Sequence, residues 1–184
     1  MRWTVHGEQT LYESDWMVLS VVDVEPPGSD RFDHQVLRFP RAAAGTVIWD
    51  RSTDAVLLLW RHRFVTDRWG WEIPAGMLDD GEAAIDAAER EAVEESGWRP
   101  LGLEPLVSYN PMPGAVDQTF TVFVAAGSER VGEPTDVTEA ERVEWVPLAV
   151  VREALTDGRI VEGMTLTALS LALATGRLGR PTDR

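Results

Sequence analysis

The chain has no cysteine and no lysine, and no apolar run long enough to cross a bilayer. Each absence removes a class of chemistry. Without cysteine there is no disulfide, no zinc–thiolate site and no thiol nucleophile. Without lysine there is no Schiff-base chemistry and no Walker-type phosphate lysine, so all 17 basic residues are arginine. Codon usage in a GC-rich genome is a sufficient cause of that bias. No secretory leader pattern opens the sequence, and a cytoplasmic location is the expectation. Positive charge is scarce too. The formal net charge of −14 disfavours nucleic acid or an anionic membrane as partner. It leaves open a phosphorylated small molecule held by local cations and a few arginines. The 184 residues, 44% hydrophobic and 26% charged, fit one ordinary globular domain.

What is present in excess is acid, and it is concentrated. The stretch GMLDDGEAAIDAAEREAVEESGW, Gly76 to Trp98, reads as a turn followed by a helix. Asp79, Asp80 and Glu82 put negative charge at the helix start. Ala83, Ala84, Ala87, Ala88 and Ala92 favour helix. Ala84, Ile85, Ala88 and Ala92 form an apolar stripe for packing on a sheet. Gly97 suits a left-handed cap and Pro100 blocks continuation. On such a helix Glu91, Glu94 and Glu95 crowd within about one turn and repel each other unless something positive sits among them. For hard oxygen donors, magnesium or manganese is the natural counter-ion. Arg90 can pair with an acid of the cluster. A solvated acidic face is the bland alternative.

The stretch matches the Nudix hydrolase signature GX5EX7REUXEEXGU, where U is bulky and apolar. The fixed positions are Gly76, Glu82, Arg90, Glu91, Glu94, Glu95 and Gly97. Trp98 fills one apolar slot, and Ala92 fills the other as a small residue. Seven fixed positions match one window by chance with a probability on the order of 10⁻⁸. The segment WRHRFVTDRWGWEIPAG, Trp60 to Gly76, resembles the one preceding the motif in ADP-ribose pyrophosphatases and related nucleoside-diphosphate-sugar hydrolases. Pro113, about fifteen residues past the motif, occupies the place of a subfamily proline.

The resemblance implies a metal-dependent hydrolysis of a phosphoanhydride in a nucleoside diphosphate linked to another moiety, with Mg²⁺ or Mn²⁺ as cofactor. It makes Glu91 and Glu95 the principal metal ligands, with the Ala75 carbonyl as a further one. Glu94 is a ligand, a water orienter or a base. Glu82 and Arg90 are catalytic or purely structural. Arg63, Glu72, Gly76, Pro113, Gly114 and Gln118 are implied on the substrate side; for Arg63 and Glu72 an ordinary ion pair is the alternative. His62 is read as structural. Trp3, Trp16, Trp69 and Trp71 are candidates for base stacking, with buried anchors the simpler reading for most of them. One departure stands out. A glutamate often follows the Pro-Gly turn in the ADP-ribose group, and here Gln118 takes that position, beside Asp117. Asp117 is the hypothesised auxiliary acid, with Glu94 or a different substrate as the alternatives.

The implied fold is α/β of the Nudix type, a mixed β-sheet sandwiched between helices. An N-terminal antiparallel hairpin precedes it, with strands at Trp16–Val24 and His34–Phe39 around the Pro26–Asp30 turn. The expectation is one Nudix domain over 1–184: residues 1–40 as the hairpin, 41–176 as the core and 177–184 as a frayed tail. Strands are expected at Ala44–Trp49, Ala55–Trp60, Trp71–Ile73, Leu103–Tyr109, Phe120–Ala125 and Val143–Val146. Helices are expected at Leu148–Leu155 and Thr165–Ala174. Ala55–Trp60, continuously apolar, reads as a central strand buried on both faces. A homodimer exchanging the hairpin is implied by the resemblance. Three functions stay in view: a hydrolase of ADP-ribose or another nucleoside diphosphate sugar; a Nudix enzyme for a nucleoside triphosphate, dinucleotide or specialised metabolite; and a non-catalytic nucleotide-sensing module.

Overall fold

The computed structural model describes residues 1–136 and 140–179; the expected tail lies outside them from residue 180 on. The chain forms two compact units. The first comprises Met1–Ala42 and Tyr109–Thr119, and the second comprises Ala43–Ser108 and the chain from Phe120 onward.

The first unit is a three-stranded antiparallel sheet, ordered β1 (Thr4–Glu13), β2 (Val18–Glu25), β3 (Phe32–Arg38). The hairpin expected from the sequence is β2–β3. Strand β1 was not expected: it is exposed at all ten residues, so no inward face leaves an apolar alternation to read. Register shifts at Val5/Gly7 and Thr10/Tyr12 disturb its period further. The 109–119 loop belongs to this unit. The Leu37 amide donates to the Ala115 carbonyl, and the Asp117 amide donates to the Leu37 carbonyl.

The second unit is built on a seven-stranded mixed sheet. Its main path runs β12 (Arg142–Pro147), β5 (Ala55–Arg63), β4 (Ala43–Asp50), β10 (Phe120–Ala125), β9 (Glu104–Tyr109). Strand β6 (Arg68–Glu72) pairs with β5, and β7 (Ala75–Met77) pairs with β4. β10 runs parallel to β4, whereas β5 runs antiparallel to it. β8 (Trp98–Pro100) and β11 (Ser128–Arg130) form a separate ribbon.

The two-residue period of β4 sorts the helices onto opposite faces. Ala44 packs on Ala87 and Ala88 of α1 (Ala84–Ser96), and the Thr46 hydroxyl donates to the Ala88 carbonyl. Gly45, pointing the other way, lies against Met164 of α3 (Gly163–Ala174), Ala75 and Ile73; a Cβ there would come within 2.8 Å of the Met164 sulfur. Helix α2 (Leu148–Asp157) follows β12 directly. Leu57, Leu58 and Leu59 of β5 are fully buried, as expected of a central strand. Among the described residues, no helix is long and apolar enough to cross a membrane.

Two expectations about α1 need correction. The helix starts at Ala84, so Asp79, Asp80 and Glu82 belong to the preceding turn. Ile85 is 40% exposed; the packed face is Ala87, Ala88, Ala92, Glu95 and Ser96, and its three alanines let the helix lie close to the sheet.

Candidate active site

The site is assembled by one turn, one helix and the ends of β5 and β6. Pro74 closes β6 and leads into Ala75 and Gly76 at the start of β7. The Thr46 amide donates to the Pro74 carbonyl, fixing the turn to the central strand. On α1 the three glutamates have different exposures. Glu95 faces inward with 3% of its side chain exposed, Glu91 keeps 14%, and Glu94 keeps 44%.

The positive groups among these acids are arginines. Arg90 Nη1 donates to Glu91 Oε1 at 2.8 Å and to Glu94 Oε2 at 3.0 Å. Its Nε and Nη2 donate to the two oxygens of Glu82, both at 2.9 Å, and Nη2 also reaches the Met77 carbonyl. Glu82 in turn accepts the Asp79 amide at 2.8 Å, which closes the turn before the helix. The Arg90 guanidinium holds the Glu82 carboxyl below its ordinary range, and its own pKa rises through the Glu82 contact.

Behind this cluster runs a buried ionic chain. Glu95 Oε1 accepts from Arg61 Nη2 at 2.6 Å, and Oε2 accepts the Ala75 amide at 2.9 Å. Arg61 Nε lies 3.8 Å from Glu72, whose carboxylate is also gripped by Arg63 Nε and Nη2, the shortest contact being 2.6 Å. Arg61, Glu72 and Glu95 are 2%, 4% and 3% exposed. Burial pushes the Glu95 carboxyl up to about 7, against the pull of Arg61 and the Ala75 amide.

Gly76 has a specific reason to be glycine. A Cβ there would meet the Glu91 carboxyl carbon and Oε1 at 2.2 Å. Glu91 therefore lies over Gly76, while Glu95 is hydrogen-bonded to the adjacent Ala75. Three of the ligands that the resemblance implies thus share one corner, and their hard oxygens suit a divalent cation. Among the described residues, no three acidic or histidine side chains converge on one point; the carboxylates are spread over Arg90 and Arg61 instead. Gly97 is required differently. It caps α1 at φ +74°, and a Cβ would strike the Gly132 carbonyl oxygen at 2.4 Å.

Arg63 and Glu72 pair with each other and line a cavity of about 550 Å³ whose walls include Val65, Arg68, Val161 and Glu162. His62 contacts Asp67 and Trp69. In the first unit, Asp117 Oδ1 accepts the Phe39 amide at 2.9 Å and Oδ2 lies 3.3 Å from Arg38 Nη1. There the Gly114 carbonyl contacts His34 and the Gln118 carbonyl accepts from Asn110; Pro113 sits in the same loop. Trp71 is buried, but Trp3, Trp16 and Trp69 are 49%, 62% and 46% exposed and are not anchors. Trp3 and Trp16 flank the exposed β1, and Trp69 stacks on Trp60.

Sequence reading missed Arg61, the centre of the buried chain. The signal was present in the strand period: Leu57, Leu59, Arg61 and Arg63 share a face, and Leu59 pairs with Glu72 across β5–β6. It also missed the support from α3. Thr165 is fully buried; its hydroxyl accepts the Ile73 amide at 3.1 Å and donates to Glu162 Oε2 at 2.8 Å. Glu162 caps the helix through the Met164 and Thr165 amides. Thr165→Val strands the Ile73 N–H beside the Pro74 turn, so urea unfolding should show a loss of about 1–3 kcal/mol. An unchanged midpoint would show that this link carries no stability.

These features define a Nudix hydrolase, and the Nudix domain model matches residues 39–164. The chain belongs to the Nudix family, near its ADP-ribose pyrophosphatase group. It is 42% identical over 176 residues to a CMP-5'-(N-acetyl-N-hydroxy-3-aminopropyl)phosphonate hydrolase of Streptomyces rubellomurinus, covering 96% of this chain and 84% of that protein. It is 28% identical over 183 residues to an ADP-ribose pyrophosphatase of Mycobacterium tuberculosis, covering 96% and 87%. A crystal structure of an ADP compounds hydrolase superposes with a TM-score of 0.83 at 23% identity, covering 97% of this chain and 98% of that one, and attests the fold.

Proposed function

We propose that this enzyme hydrolyses the P–O–P anhydride joining a nucleoside 5'-monophosphate to a second phosphorus group. The observation that carries the reading is the corner where Glu91 lies over Gly76 and Glu95 is bonded to Ala75, with Glu82 and Glu94 gathered on Arg90. A Mg²⁺ or Mn²⁺ ion held by Glu91 and Glu95, with Glu94 and the Ala75 carbonyl as further donors, would neutralise the anhydride oxygens and acidify a water. The protein's own part is orientation. Arg90 holds Glu82, Glu91 and Glu94 in place, and Arg61 holds Glu95. Glu94, the most exposed of the three, is the group placed to take the water's proton. The water oxygen bonds to one phosphorus, the bridging oxygen leaves on the other, and the proton passes to the carboxylate. Arg63, 49% exposed and bordering the cavity, offers its guanidinium to substrate phosphate, with Glu72 fixing its plane.

Two substrate groups follow. ADP-ribose and other nucleoside diphosphate sugars are supported by the 28% identical pyrophosphatase. A nucleotide–phosphonate, a specialised metabolite, is supported by the 42% identical relative and offers the same kind of bond. Substrate roles for Pro113, Gly114 and Gln118, and an auxiliary acid role for Asp117, rest on the resemblance alone. Near-wild-type turnover in Asp117→Asn removes the latter. A homodimer is supported by the resemblance and by open Val5, Leu11 and Tyr12 on β1; light scattering should give twice the 20.4 kDa chain mass.

The testing experiment is nucleotide release from ADP-ribose, ADP-glucose, GDP-mannose, NADH, diadenosine polyphosphates, nucleoside triphosphates and a CMP–phosphonate. It is run with Mg²⁺ or Mn²⁺ beside a Glu95→Gln control. Release of a nucleoside monophosphate, lost in the control, is expected. Silence on every anhydride from a folded, metal-binding protein overturns the reading.

A further inference from the structure

We propose that Arg61, which lies outside the Nudix motif, is the positioning residue of Glu95 and sets how tightly the site holds its divalent cation. The proposal rests on the functional reading above and deepens it.

Stability does not call for a buried Arg61–Glu95 pair in place of two apolar residues. Its side chain is 2% exposed on a strand face it shares with Leu57 and Leu59, and a leucine in its place would continue that apolar row. Replacing a whole buried ion pair by packed apolar groups is often neutral or stabilising, whereas removing Arg61 alone would leave Glu95 and Glu72 buried without it. The fold thus does not require the pair as such, and the contacts of Arg61 supply another reason for it. Nη2 donates to Glu95 Oε1 at 2.6 Å while the Ala75 amide holds Oε2 at 2.9 Å. The carboxylate is thereby pinned at both oxygens, in one rotamer, and each oxygen keeps a further lone pair for a cation. Arg61 is steadied in turn by Glu72 at 3.8 Å, itself held by Arg63. The chain Arg63–Glu72–Arg61–Glu95 thus runs from the cavity wall to the implied ligand with charges alternating. Groups that orient a metal ligand from behind are worth about 10- to 100-fold in metal affinity or activity. Lysine cannot reproduce the contact, because a point ammonium lacks the planar fork that reaches two carboxylates at once.

The test is Mn²⁺ binding followed by electron paramagnetic resonance on the substrate-free protein, comparing wild type, Arg61→Gln, Arg61→Lys and Glu95→Gln. Circular dichroism checks the fold. Arg61→Gln is expected to bind Mn²⁺ about 10- to 100-fold more weakly. Arg61→Lys should fall between it and wild type, and Glu95→Gln should lose tight binding. Wild-type affinity in Arg61→Gln, with binding lost in Glu95→Gln, overturns the positioning role and leaves the metal site standing. Should Arg61→Gln not fold, wild-type affinity in Arg61→Lys overturns it instead. Unchanged binding in Glu95→Gln as well strikes at the metal assignment itself and removes the proposal with it.

Discussion

Glu91→Gln should lower kcat/KM by about three orders of magnitude while leaving the folded state nearly intact. Glutamine keeps the shape of the side chain and an amide oxygen that can still accept from Arg90 Nη1, which now sits 2.8 Å from Oε1. What it loses is the negative charge directly over Gly76. If Glu91 is a principal cation ligand, that charge contributes to neutralising the anhydride in the transition state, an effect worth several kcal/mol. At about 1.4 kcal/mol per factor of ten, a loss of about 4 kcal/mol gives the expected factor. The stability cost is small because Arg90 keeps Glu82, Glu94 and the Met77 carbonyl as partners. Steady-state kinetics on the substrate found by the panel, with a parallel thermal melt, checks both halves. Activity within tenfold of wild type would remove Glu91 from the ligand set.

Such a residue could be named from sequence because α1 carries its information locally. Helix spacing, the Gly97 cap and the alanine face all lie within 23 residues of chain, and the positions of Glu91, Glu94 and Glu95 follow from 3.6 residues per turn. Central strands β4, β5 and β10 were legible for a similar reason: long buried stretches leave mostly apolar runs. Strands that bury little leave no such trace. β1 is exposed throughout, and β7, β8 and β11 are three residues each, shorter than any period can reveal. The deepest part of the site was the least legible. Arg-His-Arg at 61–63 shows three polar residues; the strand period puts Arg61 and Arg63 on one face, but that this face meets Glu72 and Glu95 depends on the β5–β6 pairing and on tertiary packing. The positive charge among the acids was expected from a metal ion and from Arg90; Arg61, from a different element, stands there as well. The same limit applied to the tryptophans, whose exposure depends on strands that the sequence does not announce.

The two fixed glycines of the motif should fail in opposite ways, and the contrast separates site from scaffold. Gly76→Ala meets no backbone penalty, because Gly76 is absent from the positive-φ positions. Its new methyl would lie 2.2–2.5 Å from the Glu91 carboxyl group, the far end of a flexible side chain, which can swing aside. The fold should therefore lose less than about 1 kcal/mol. The reactive geometry should not survive, since a displacement of about 1 Å in a catalytic group costs about 100-fold in rate. Gly97→Ala forces a left-handed residue, costing about 1–2 kcal/mol, and drives its methyl 2.4 Å from the Gly132 carbonyl oxygen, which is backbone and cannot turn away. Its loss should appear first as a lowered melting temperature, with activity following stability. Melting curves and kcat/KM measured on both variants decide the matter. If Gly76→Ala melts early and Gly97→Ala is merely slow, the placement of Glu91 over the Ala75–Gly76 turn is wrong. If Gly76→Ala is stable and inactive, the glycine is there to let a carboxylate lie against the backbone, which the fold alone does not require.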